Sequence, residues 1–155
     1  MGYLDDKVGG RMTLKFTLIG LMVAMLLAVF APEIRPFLQY TLGGSVIPTW
    51  LNSKNIFWIA AVLIGAFSGP NQAASRSLMG RFTPESKKNE FFGFFAFSGK
   101  ATAFAGPFLL GTLTVAFDSQ RVGISVIFFF FLLGFILLNR VDEKKGMEQG
   151  GLPIQ

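Results

Sequence analysis

Apolar residues along this chain fall into four long runs, Leu14–Ala31, Ile56–Ala74, Phe91–Ala116 and Val122–Leu138, each bounded by charged or helix-breaking positions. A helix needs about 20 predominantly apolar residues to cross the hydrocarbon core of a bilayer, within a range of about 17–25. All four runs meet or exceed that length, so the pattern predicts an all-α, polytopic membrane protein with about four transmembrane spans. Residues 1–140 form the membrane domain. Residues 141–155 form a polar tail, rich in glycine and charge, that the composition predicts to be disordered.

Each run carries its own punctuation. Pro32 is expected to end the first span, since proline removes a donor and clashes with the preceding turn. The stretch from there to Asn55, with Gly43, Gly44 and Pro48, reads as a surface loop whose Tyr40 and Trp50 suit a membrane interface. The second span carries Gly65 and Gly69, a small-xxx-small pair that permits close helix approach. Its second half is polar, with Ser68, Asn71, Gln72 and Ser75 recurring at helical spacing. Such groups face protein or a water-filled cavity, because lipid offers them no partner. Interhelical hydrogen bonding and a cavity lining are the two readings of that face. In the third span Ala96, Gly99, Ala103 and Gly106 form another small-residue stripe, and Gly106–Pro107 predicts a kink. Phe128–Phe131 in the fourth span surrounds the helix and reads as bulk, not as an aromatic cage.

Composition supports this picture and narrows the chemistry. Hydrophobic residues make up 52% of the chain, and the mean hydropathy is +0.53. The chain has no histidine and no cysteine. Imidazole–metal, thiolate and Ser-His-Asp chemistry therefore have no side chains to run on, and no span carries a carboxylate pair, so no enzyme activity, metal or cofactor is expected. The net charge of +5 does not point to nucleic acid here. Basic residues instead sort by loop. Ten lie on the N-terminal flank, the middle loop and the C-terminal flank, and three lie on the other two connections. The positive-inside rule then places both termini in the cytoplasm.

Lys100 breaks the apolar pattern most sharply. It lies about 15 Å into the third span, counting from Glu90 at 1.5 Å per residue. An ammonium at that depth costs at least ~2.5 kcal/mol on insertion scales. It reads as a cavity-facing cation for an anionic substrate group or coupling carboxylate, or as half of a structural ion pair. No span contains an interior Asp or Glu, so a partner carboxylate would come from other helices or another chain.

Two groups of residues resemble a known family. Gly2, Asp6, Lys7, Gly9 and Arg11 lie at the spacing of the G-x-x-x-D-[RK]-x-G-x-[RK] loop of the major facilitator superfamily, with Gly10 where a second basic residue is common. Gly69-Pro-Asn-Gln72, Ser75-Arg76, Arg81-Phe-Thr-Pro84, Glu90-Phe-Phe-Gly93, Ser98-Gly99-Lys100 and Gly106-Pro107 are similar to its vacuolar-effluxer-like branch. The resemblance implies twelve helices in two halves, with these four matching the last four. It implies a C-terminal part of a secondary transporter, incomplete on its own. The implied partners are the bilayer, a small-molecule substrate such as an amino acid, and the remaining helices. The implied location is a bacterial cell membrane. A four-span structural or assembly protein and a self-assembling small exporter are the alternatives.

Overall fold

The computed structural model describes residues 9–42, 48 and 50–149. Four long helices are present: α1 (Gly10–Leu42), α2 (Ser53–Phe82), α3 (Lys88–Ala116) and α4 (Gln120–Arg140). A 3₁₀ turn at Glu85–Lys87 leads into α3, and a short helix α5 (Glu143–Gln149) follows α4. No strand occurs among the described residues. Three of these helices, α1, α2 and α4, are long and apolar enough to cross a membrane. At 29 residues α3 is long enough as well, but Ser98, Lys100, Pro107 and its glycines dilute its apolar character.

The helices overrun the limits expected from hydropathy. Pro32 does not end α1, which continues through Pro32 and Pro36 to Leu42. Each proline removes only its own N–H from the ladder, and the neighbouring bonds carry the helix past it. The Thr41 hydroxyl donates to the Phe37 carbonyl in the last turn. The surface loop expected after Pro32 is thus helical up to Leu42, while Gly43 and Gly44 lie outside the described residues. α2 starts behind Asn52, whose side chain accepts from the Asn55 N–H. It runs past Pro70 and its polar half, and stops at Thr83 ahead of Pro84. α3 likewise continues through Pro107. Where the tail composition predicts disorder, Glu143–Gln149 forms α5, because it has a docking site on the ends of α1 and α2.

α1 is the central helix, packed against α2 on one side and α4 on another, while α3 packs against α4 and barely meets α2. The buried core is chiefly an α1–α2 seam. Leu14 packs with Ala74 and Leu78, Phe82 and Leu138 extend that cluster at one end, and Leu21, Ala24, Met25, Ile56 and Ala60 are buried along the same two helices. Phe67 fills the space over Gly20, where a Cβ would stand 2.7 Å from the ring, and its edge meets Phe16 at 5.9 Å between ring centres. α3 and α4 approach most closely at their shared turn. A Cβ on Gly123 would lie 2.0 Å from the Thr114 hydroxyl and 2.8 Å from the Leu110 carbonyl oxygen.

The glycines expected to seat neighbouring helices behave differently. Gly65, Gly69, Gly99 and Gly106 have nothing within 4 Å of where a Cβ would be. Among the described residues no helix fills those grooves. Among the described residues the close approaches occur at Gly20, Gly123 and Gly146 instead, which the small-residue spacing did not single out.

Candidate functional site

The polar face of α2 divides once its partners are seen. Asn71 is half-buried and meets the Thr17 hydroxyl at 2.9 Å. Thr17 is 1% exposed, and its oxygen also lies 3.0 Å from the Leu14 carbonyl. A hydroxyl has one proton. The Thr17 hydroxyl donates that proton to either of two acceptors, the Leu14 carbonyl oxygen or the Asn71 amide oxygen. Asn71 therefore ties α2 to α1. The hydroxyls of Ser68 and Ser75 donate back to the carbonyls of Ile64 and Asn71 within their own helix. Of this group only Gln72 is an exposed side chain.

Lys100 is exposed on α3. Phe97 and Phe104, three residues before and four after it, share its helix face and are 71% and 75% exposed. Among the described residues no carboxylate pairs with it. Lys100 and Gln72 occupy helices that hardly touch, so these four helices do not converge them into one pocket.

A second constellation gathers at the ends of the helices. Gly9 has φ +88°, the left-handed conformation that glycine adopts without strain, and the turn it makes starts α1. α1 has no acidic residue in its own first turn. The Glu143 carboxylate supplies one from α5, accepting from the N–H groups of Gly10 at 3.1 Å and Arg11 at 3.2 Å. Arg81, from the last turn of α2, lies 3.7 Å from the same carboxylate. The Arg11 guanidinium donates to the carbonyls of Leu138 at 3.3 Å and Asn139 at 2.7 Å. An anion thus sits at the start of α1 and a cation at the end of α4, each complementing a helix dipole. Gly2, Asp6 and Lys7 lie outside the described residues. Sequence reading singles out Arg81 only as a motif and loop residue, without its partner, and misses Glu143 and Thr17. The one local hint was an uncapped α1 start with an acidic residue soon after the last span.

Glu143→Ala is expected to cost about 0.5–2 kcal/mol, the range for a lost helix cap. Amide hydrogen exchange at Gly10 and Arg11 should quicken. Glu143→Gln should fall between, since its carbonyl accepts without the charge. Unchanged exchange at both amides would show that the cap contributes nothing.

No solved structure matches the chain. It is 28% identical to an uncharacterized MFS-type transporter, YxiO, of Bacillus subtilis, over 99% of this chain and 32% of that protein. It is 30% identical to autophagy-related protein 22 of Saccharomyces cerevisiae over 64% of this chain and 19% of that protein. Against the Kluyveromyces lactis protein of the same name it is 27% identical over 86% of this chain and 31% of that protein. The profile of the family described as vacuole effluxer Atg22 like matches residues 40–151. The chain belongs to that family.

The Atg22-like match takes in α2 to α5, including Lys100, Arg81 and Glu143. Gly9 and Arg11 lie before it, inside the longer alignment to the Bacillus protein. The major-facilitator, effluxer-like resemblance read from the motifs therefore stands. The chain spans about a third or less of the length of these Atg22-like and MFS-type relatives.

Proposed function

We propose that this chain is the C-terminal part of a secondary transporter that moves small solutes, amino acids or related metabolites among them, by alternating access. Lys100 carries the reading. A cation near the middle of a span, exposed on a helix face with no carboxylate among the described residues beside it, fits a cavity that receives an anionic group. Gln72 is the second exposed polar side chain available to such a cavity. The open grooves at Gly65, Gly69, Gly99 and Gly106 fit the same reading, because small residues are where further membrane helices dock. Those helices come from the rest of the transporter. The termini lie in the cytoplasm of a bacterial cell, on the basic side of the chain.

Reconstituted alone, the chain should show no saturable uptake. Extended to the length of its relatives, it should export a carboxylate-bearing solute from loaded vesicles. Saturable, stereoselective transport by the isolated chain would replace this reading with a self-assembling exporter. In intact cells a cysteine at Ser86 should resist an impermeant maleimide, and rapid labelling there would reverse the orientation.

A further inference from the structure

The exposed side of α1 is a continuous stripe. Met12, Phe16, Ile19, Val23, Leu26 and Phe30 follow one another at alternating steps of four and three residues, and all are between 41% and 61% exposed. The same steps lead on to Glu33, Phe37 and Tyr40. Every apolar member is large. Helix-docking faces in membranes favour small residues, so this stripe has the character of a lipid-facing surface.

Two polar fastenings set its level in the bilayer. Arg11 meets the last carbonyls of α4, and Glu33 pairs with Arg121 at the first turn of α4. From Arg11 to Glu33 the helix rises about 33 Å at 1.5 Å per residue, against about 30 Å of hydrocarbon. Lys54 in the first turn of α2 marks the same far level. Glu33 thus stands where hydrocarbon ends, on the side opposite Gly10 and Glu143. The stripe does not stop there. Phe37 is 67% exposed and Tyr40 93% exposed, and Trp50, just before α2, is 58% exposed. Side chains on a helix point back toward its N-terminus. The rings of Phe37 and Tyr40 therefore hang about one turn below their own backbone, roughly 5 Å, back toward the membrane. The polar layer on each side of the hydrocarbon is about 5–8 Å deep, so the rings fall within it.

We propose that the rings of Phe37 and Tyr40 are seated in the lipid headgroup layer on the side opposite Gly10 and Glu143, anchoring this end of α1, and that the Glu33–Arg121 pair lies at the base of that layer, not in bulk water. The surface continues the lipid-facing stripe, and the tyrosine keeps its hydroxyl in the wet part of the layer. The proposal needs α1 to span a membrane and does not depend on the transport reading.

The chain has no native cysteine, so single nitroxide labels can be placed cleanly. The full chain carrying Tyr40→Cys or Phe37→Cys is labelled in phosphatidylcholine vesicles. Its collision rates with oxygen, which favours hydrocarbon, and with a neutral nickel chelate, which favours water, are then measured. Labels at Ile19 and Ser86 give the hydrocarbon and water limits. Both reagents should reach positions 37 and 40, with a ratio between those limits. A ratio equal to that at Ser86 would place the segment in water and overturn the proposal. Protection from both reagents would mean that protein covers the segment, and would overturn it equally.

Discussion

In a full-length transporter, Lys100→Ala is expected to lower transport by about 30-fold or more while the protein still reaches the membrane. Removing one partner of a desolvated charge pair costs about 2–5 kcal/mol, and each 1.4 kcal/mol is tenfold. Lys100→Arg should retain part of the activity, since it keeps the charge but alters its shape and hydration. The contrast with a scaffold role lies in expression and in KM. If Lys100 meets the solute, Lys100→Ala raises KM or lowers kcat in a protein of normal abundance. Loss of folding and of membrane abundance in Lys100→Ala would instead make it a structural ion-pair member. Normal abundance with normal transport would remove it from both roles. Phe97 and Phe104 supply a milder comparison, as they share the helix face of Lys100 without carrying charge.

Gly123→Ala is expected to be the most damaging single-methyl change in the four helices. The added carbon would lie 2.0 Å from the Thr114 hydroxyl and 2.8 Å from the Leu110 carbonyl oxygen. Overpacking of this kind costs about 1–3 kcal/mol. Adding Thr114→Ala should recover only part of the loss, because the Leu110 oxygen belongs to the backbone and cannot rotate away. Gly65→Ala and Gly99→Ala, with open space at both positions, should leave thermal stability in detergent nearly unchanged. Equal melting temperatures for Gly123→Ala and Gly99→Ala would show that α3 and α4 are not tightly joined at their turn.

These two residues mark what could and could not be read from the sequence. Lys100 is visible without a structure, because a charge inside an apolar run needs only hydropathy to be noticed. Gly123 is not, because a lone glycine near the start of a span has no periodic partner to advertise a contact. The small-residue stripes at Gly65–Gly69 and Gly99–Gly106 signal that a helix can approach and leave open which helix does so. Among the described residues none does. Pro32 was misread for a related reason. Proline's cost, a lost donor and a clash with the preceding turn, is confined to one turn, and a long helix with sound bonds on either side absorbs it. Asn71 was legible as a polar group in need of a partner, yet its partner Thr17 lies 54 residues away. Glu143 and Gly10 are 133 residues apart, and no local pattern connects such positions.

That last separation bears on how the protein is made. The α1–α2 seam can close once Phe82 has left the ribosome. The carboxylate that caps α1 is synthesised about sixty residues later, roughly 3–12 s at 5–20 residues per second. In the interval the first turn of α1 relies on water or lipid headgroups for its exposed N–H groups. A nascent chain interrupted before Glu143 would carry a frayed first turn of α1, whereas one extended past Glu143 would not. α5 thus acts as a late latch, closing on the first turn of α1 only after the three intervening helices have been made.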